Sequence, residues 1–394
     1  MPISLEAAWE RLFALAPALP PAVETVPIAE ADGRYLAETL TARRTQPAAD
    51  LSAMDGFAVA GVGPWRVIGE SRAGMPFEGP LSGGGAVRVS TGAACPHGTT
   101  GIVLLEDAAV AGSRLAAPPP VPGRWIRKRG FDFTTGATLL SPGERFGPAQ
   151  IALALAAGHG EALVARRPLI AVVECGDELV ADPRDCPPHR LPASNGAMVA
   201  AMARGVGART SLGSPLPDDR TKLAMAIGEA ADAQVIVTTA GASVGEHDHV
   251  RGALADCGAE IAFWRVAIRP GKPLLVGRIG EQLVLGLPGN PASSFVTAFL
   301  FLLPLLRVLQ GAANALPTAL PLALSSALPA AGDRREFIRG QWRDGHAAPL
   351  DERDSSALRT LAAADLLIDR PIGSLDAPAG STVPCYWLGN GSVA

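Results

Sequence analysis

From Thr238 the chain reads Thr-Thr-Ala-Gly-Ala-Ser-Val-Gly-Glu-His-Asp248, an apolar strand that runs into a small-residue loop ending on a carboxylate. Glycines at 241 and 245 let backbone N–H groups approach an oxyanion closely. A helix N-terminus just beyond favours negative charge, and an acidic side chain can hold the counter-cation. Three other segments have the same character: Glu174-Cys-Gly-Asp-Glu178, Arg269-Pro-Gly-Lys-Pro273 and Leu287-Pro-Gly-Asn-Pro291. One such loop is a weak signal, but four in a single stretch of chain are specific.

Loops of this kind need rigid elements to aim them. Residues 167–289 alternate between strand and helix patterns: strands at 169–173 and 235–238, helices at 195–204 and 250–257, and a helix between them capped by Asp218 or Asp219. Strand-like runs follow at 261–268, 274–276 and 283–285, and then a long apolar helix begins after Pro291. Such alternation predicts a parallel sheet wrapped by helices, in which ligands gather beyond the carboxyl ends of the strands. All four loops lie at those ends. The expected architecture is multidomain α/β. Residues 1–46 and 135–165 form a helical unit, 47–134 a β-rich insertion dense in Gly and Pro, 166–312 the three-layer α/β unit, and 313–394 a C-terminal β-barrel-like unit.

Composition sets the outer limits. A chain of 394 residues exceeds one ordinary core. Its net charge of −4 excludes the basic surface that nucleic-acid binding requires. The longest apolar run, 295–306, is interrupted by Thr297 and Pro304 and is read as a buried helix rather than a membrane span. Five scattered cysteines without a Cys-x-x-Cys pair suit thiols in a reducing compartment, and the N-terminus lacks the pattern of a secretory signal. A cytoplasmic location is expected.

The ordered motifs resemble a known family, the molybdopterin molybdenumtransferases of the MoeA type, related to the E domain of gephyrin. They are Asp50-Leu-Ser-Ala-Met-Asp-Gly-Phe-Ala58, Arg88-Val-Ser-Thr-Gly-Ala93, Arg127-Lys-Arg-Gly-Phe-Asp132, Gly176-Asp-Glu-Leu179, Gly241-Ala-Ser-Val-Gly-Glu-His-Asp248, Arg269-Pro-Gly-Lys-Pro273, Leu287-Pro-Gly-Asn-Pro291 and Arg335-Glu-Phe-Ile-Arg-Gly340. The resemblance implies an elongated homodimer whose active site lies between the α/β unit of one subunit and the inserted β-rich unit of its partner. It also implies the reaction: adenylyl-molybdopterin and molybdate are the substrates, magnesium assists, molybdenum enters at the dithiolene and AMP leaves. A molybdopterin adenylyltransferase and recipient molybdoenzymes are the implied protein partners, with no nucleic acid and no membrane.

Within that resemblance, Arg269 and Lys272 suit the molybdate dianion, a guanidinium fork and a compact ammonium held close by one Pro-Gly turn. Asp248, Glu178 and Asp218 are the candidate magnesium ligands, one or two of which suffice for an ion that keeps its waters; for Asp218 a helix cap is the equal alternative. Ser243 would donate a hydroxyl, and Gly241, Gly245 and Gly176 would open the backbone. Pro273, Pro288, Asn290, Pro291 and Ser293 would line the binding site, and Arg339 is the counterpart of a C-terminal anion-contacting arginine. Asp55, Thr91 and Gly92 would reach the partner subunit's substrate, whereas Met54 and Phe57 are read as packing residues. Asp132 either orients the cations at 127–129 or is a solvated turn residue. A zinc site at His247 and His249 with Asp248 lacks a third nitrogen or sulfur ligand at a familiar spacing.

The chain departs from the family pattern at Ala240 and Ala242, at Cys175, at Arg269 where Lys is common, at Thr99-Thr-Gly101 and at Arg353-Asp-Ser-Ser-Ala357. Two other readings stay open beside the insertase: a molybdopterin adenylyltransferase, and a non-catalytic molybdopterin-binding carrier.

Overall fold

A computed structural model describes residues 2–16, 21–240 and 249–389. The central feature is a six-stranded sheet in the order Arg209–Leu212, Leu169–Val173, Val235–Thr238, Gln282–Gly286, Leu275–Ile279 and Glu260–Trp264. The first four strands are parallel, so the expected α/β alternation is realised there. The sheet is mixed rather than wholly parallel, because Leu275–Ile279 runs against its neighbours on both sides. Only Gly280 and Glu281 separate its last ladder pair, Ile279 and Gln282, and a two-residue loop can join only antiparallel strands. The run expected as one strand over 261–268 divides at Arg265, whose φ of 75° breaks the extended backbone.

Helices cover both faces of this sheet. On one face Leu223, Ile227, Val250, Ala253 and Leu254, from helices Arg220–Glu229 and His249–Asp256, pack on Ile236 and Val284. On the other face helices Asn195–Gly205 and Pro291–Thr297 bury Val199, Ala203, Phe295 and Val296 against Val172, Val237 and Leu285. The opening helix, Leu5–Leu15, joins this second core through Leu5, Ala8 and Leu12. Its apolar face lies under the sheet.

The helix that starts at Pro291 continues through a wider stretch, Ala298–Leu302, to Leu309. It is long and apolar enough to cross a membrane, yet 83% of the relevant window is buried inside the protein. Pro304 has no N–H for the Leu300 carbonyl, and helices absorb such a loss by a local π turn and an outside donor. The donor is Trp9, whose indole N–H reaches Leu300 O at 2.7 Å.

Two smaller bodies precede the sheet. Val23–Pro27 pairs antiparallel with Glu161–Ala165 in unbroken register, from Val23 opposite Ala165 to Pro27 opposite Glu161, which closes off everything between them as an excursion. Ile28, Leu36, Leu40, Leu140, Phe146 and Val164 form the core at this junction, under helix Pro148–Ala156. The excursion contains a second six-stranded sheet, ordered Gly101–Leu104, Gly56–Val59, Gly85–Val89, Trp65–Ser71, Arg114–Ala116 and Ala109–Ala111. Alternation along its strands sends Phe57 and Val59 to one core and Ala58 and Ala60 to another, so both faces are covered. Phe57 packs as expected, but Met54 is 38% exposed.

At the C-terminal end, Arg335–Arg343, His346–Pro349, Ala319–Leu324, Thr382–Trp387 and Leu366–Arg370 pair in that order, and the last pairs back with the first to close a barrel. Ile268–Arg269 adds to its rim in parallel with Arg335 and Glu336. The chain thus reaches the barrel immediately before the Pro270-Gly-Lys-Pro273 turn. Arg335 fixes the joint: its guanidinium forks onto Asp369 at 2.5 and 2.7 Å and reaches Glu6 of the opening helix at 2.5 Å.

Candidate functional site

Three adjacent parallel strands, Leu169–Val173, Val235–Thr238 and Gln282–Gly286, end at the same edge of the sheet, and beyond them lies a cavity of about 700 Å³. Each strand contributes to its wall. Glu174 and Glu178 follow the first, Ala240 the second, and Pro288, Gly289, Asn290, Pro291 and Ser293 the third. Pro273 enters from the Pro-Gly-Lys-Pro turn, and Ser356 and Leu358 from the barrel side. The structure therefore brings together Glu178, Pro273, Pro288, Asn290, Pro291 and Ser293 from the residues expected in sequence.

The junction with the barrel is built from specific bonds. Asn290 donates its amide to the Ser355 hydroxyl at 2.9 Å, and the Ala292 N–H donates to the Ser355 carbonyl at 2.9 Å. Ser356 donates both its N–H and its hydroxyl to Asp354, whose carboxyl is held below its ordinary range, by the hydroxyl first and the N–H second. The divergent segment 353–357 thus forms the seam between the two bodies.

The same loop borders a second, smaller hollow of about 40 Å³ lined by Arg269, Glu336, Arg339, Glu352 and Arg353 among others. Arg339 is 6% exposed and donates to the carbonyls of Glu352 and Asp354 at 2.8 and 2.9 Å, while its Nη1 is buried with no partner among the described residues. Burial lowers the guanidinium's pKa from its ordinary value. An unsatisfied, buried N–H on a cation is a vacant donor for an anion. Arg269 is exposed and bonds Glu336 at 3.3 Å. Lys272 is exposed and, among the described residues, has no ion-pair partner. Gly271 between them has a φ of 104°, and a Cβ there would meet Thr297 Cγ2 at 2.6 Å, so the turn is pressed against the start of the long helix.

Around Glu178 the backbone is equally tight. Gly176 has a φ of 156°, and a Cβ on it would strike the Glu178 carboxylate at 2.7 Å. Asp218 is not part of the cavity wall; its N–H donates to Asp177 at 3.1 Å. Of the two candidate caps, Asp219 takes that role, accepting from Thr221 and Lys222, which holds its carboxyl below the ordinary range, the Lys222 N–H first. Gly241, Ser243, Gly245 and Asp248 lie outside the described residues, as does His247. Among the described residues no group of three or more His, Cys, Asp or Glu side chains could hold a metal ion.

Asp55, Thr91 and Gly92 form a separate cluster in the inserted β-rich sheet. Asp55 accepts from the Thr91 N–H at 2.6 Å and from its hydroxyl at 3.0 Å, and these bonds, the N–H first, hold its carboxyl below the ordinary range. No described hydrogen bond or cavity wall joins this cluster to the cleft of the same chain. Nearby, Lys128 and the Arg129 N–H are held by Asp50 at 2.8 Å each, not by Asp132, which is exposed. The divergent Thr99-Thr100 pair is accommodated, its hydroxyls donating to Pro96 O and Val59 O.

Glu174 and Asn195 also line the cleft, though neither is among the site residues expected from sequence. Glu174 is 5% exposed and accepts from the Asn195 and Gly196 N–H groups at the start of helix Asn195–Gly205. Asn195 in turn donates its amide to Gly289 O at 2.6 Å. The one available signal was a carboxylate directly after an apolar strand.

Comparison with known proteins points one way. Three family models match in order along the chain: MoeA N-terminal region (domain I and II) over residues 3–158, probable molybdopterin binding domain over 171–308, and MoeA C-terminal region (domain IV) over 321–388. The molybdopterin molybdenumtransferase of Synechococcus elongatus is 34% identical, covering 97% of this chain and 99% of that protein. The Bacillus subtilis protein of the same name is 30% identical over 91% of this chain and 88% of its own. A crystal structure of a molybdopterin biosynthesis MoeA protein from Pyrococcus horikoshii superposes with a TM-score of 0.78 at 27% identity, covering 98% of this chain and 99% of that one. Another crystal structure, of a molybdopterin biosynthesis moeA protein from Pyrococcus horikoshii OT3, gives a TM-score of 0.84 at 23% identity, covering 98% of this chain and 100% of that one.

Proposed function

The chain belongs to the MoeA family of molybdopterin molybdenumtransferases, and from that premise we propose that its cleft at the sheet–barrel seam joins molybdate to adenylyl-molybdopterin with release of AMP. The observation that carries this reading is the convergence of three strand ends, the Pro-Gly-Lys-Pro turn and the barrel loop 352–356 on one cleft and its adjoining hollow. Anion-binding parts that lie far apart in sequence meet there.

Each part has a separate task. Arg269 and Arg339 line the adjoining hollow and Lys272 follows Arg269 in the same turn; together they would supply positive charge to the molybdate dianion, with Arg339 Nη1, which has no partner among the described residues, as one more buried donor. Asn290 and Ser355 hold the two walls in register, which fixes the distance between the cations and the floor. Ser243 and the backbone at Gly241 and Gly245 belong to the same proposal, as donors to phosphate oxygens. The residues suit a magnesium ion held loosely: Glu178 presents a carboxylate on the cavity wall, Asp248 is the second candidate, and Asp218 stands outside the lining. When bound there, the ion would neutralise charge on the phosphate oxygens of the adenylate.

The separation of Asp55, Thr91 and Gly92 from the cleft supports a homodimer in which one protomer's cleft is completed by its partner's inserted sheet. A cytoplasmic setting, supply of substrate by a molybdopterin adenylyltransferase and delivery of product to molybdoenzymes complete the proposal. AMP release from adenylyl-molybdopterin, with and without molybdate, is the test.

A further inference from the structure

Glu174 is an anomaly in a cleft proposed to bind anions. It is a carboxylate, 5% exposed, on the floor of the cavity, and its only described partners are the two backbone N–H groups that open helix Asn195–Gly205. No Lys, Arg or His among the described residues pairs with it. A cap on a helix needs no cavity; a carboxylate has about four lone-pair sites, so after accepting two N–H bonds Glu174 has further acceptor capacity to offer.

Beside it stands a second acceptor. Asn195 Nδ2 is committed to Gly289 O at 2.6 Å, and this contact fixes the amide's orientation, since the reverse would set oxygen against oxygen. Asn195 Oδ1 is consequently buried on the same wall with no partner among the described residues. The same cavity is lined by the apolar Pro192, Pro273, Pro288, Pro291, Leu179 and Leu358, together with polar Ser194, Asn290, Ser293 and Ser356. Apolar walls of this kind suit a planar ring, and Glu174 and Asn195 Oδ1 offer acceptors beside them.

We propose that Glu174 and Asn195 read the donor edge of the substrate's pterin, its ring N–H and exocyclic amino group, and so fix the substrate's direction in the cleft. The inference rests on the functional reading above and deepens it. A carboxylate takes two parallel N–H donors as it takes a guanidinium fork. The same charge repels phosphate, so the anionic end of the substrate points away from the floor, toward the cations at the rim. Burial, which raises the Glu174 pKa despite the two N–H bonds, is the desolvation that makes a donor edge worth recognising.

The test uses the full-length protein and three fluorescent probes followed by quenching: pterin, lumazine, in which oxygen replaces the amino group, and 2-N,N-dimethylpterin, which lacks the amino donors. Wild-type protein is expected to bind pterin at least about tenfold tighter than either analogue, and Glu174→Gln to erase that preference while lumazine affinity stays within about twofold. Equal binding of the three probes by wild-type protein overturns the proposal without any variant, which guards against a substitution that fails to fold. A preference that survives in a folded Glu174→Gln protein also overturns it, leaving Glu174 as a helix cap only. AMP release separates the two levels: discrimination without release sinks the enzymatic reading and keeps the pterin site, and release without discrimination does the opposite.

Discussion

Asn290 and Ser355 meet across the seam between the α/β unit and the barrel, amide to hydroxyl at 2.9 Å, with the Ala292 N–H bonded to the Ser355 carbonyl beside them. Only the first of these bonds is a side-chain contact. Ser355→Ala and Asn290→Ala should therefore each leave the fold intact, and a double-mutant cycle should return a coupling of about 1 kcal/mol in stability. If the bond sets the spacing of the rim cations, both variants should also raise the KM for molybdate roughly fivefold with little change for the pterin substrate. An additive cycle would show that the seam is held elsewhere.

Asp369 is the least expendable charge in the joint. It is 1% exposed and takes the forked guanidinium of Arg335, which also reaches Glu6. Asp369→Ala strands a mostly buried cation and should lower unfolding free energy by about 3–5 kcal/mol in urea titration. Glu6→Ala removes only the exposed partner and should cost less than about 1 kcal/mol.

Glu174 gives the stability a pH dependence of definite sign. Burial raises its carboxyl pKa above the ordinary value, so the folded protein holds the proton more tightly than the unfolded chain does. Its favourable contribution is complete below the unfolded value and is lost as pH rises through the folded one. The stability of Glu174→Gln minus that of wild type should therefore increase as pH rises above the ordinary carboxyl range, from about pH 4 upward. The amide also sets N–H against a backbone N–H, but that penalty is constant with pH. A difference that is flat with pH would mean the carboxyl is not desolvated.

Mixed dimers test where Asp55 acts. Asp55→Ala and Lys272→Met should each be nearly inactive alone, but if Asp55 completes the partner's cleft, half of the co-expressed dimers carry one intact site, about a quarter of wild-type activity. Mixtures no better than either variant would place both residues in one protomer's site.

Much of this arrangement was legible in the sequence, for local reasons. Apolar runs followed within three residues by Cys-Gly, Ala-Gly or Pro-Gly marked the strand ends at 173, 238 and 286, and the geometry of a parallel sheet then gathers those ends on one edge. The reversed strand at 275–279 was legible too, in the two residues between Ile279 and Gln282, but the run of apolar residues on either side concealed it. What a linear pattern cannot reveal is which charge becomes buried. Glu174 and Glu178 look alike in one acidic loop; packing of helix Asn195–Gly205, twenty residues on, buries the first and leaves the second exposed. The same holds for Trp9, whose role is set by a carbonyl orphaned by Pro304 far along the chain.

The most direct measurement is AMP release from purified adenylyl-molybdopterin by the full-length protein with magnesium, as molybdate is varied, for wild type, Lys272→Met and Asp248→Ala. Release that needs molybdate and is lost in both variants, which remain folded, is the predicted result. Binding of adenylyl-molybdopterin with no release at any molybdate concentration would contradict it and make the chain a molybdopterin carrier.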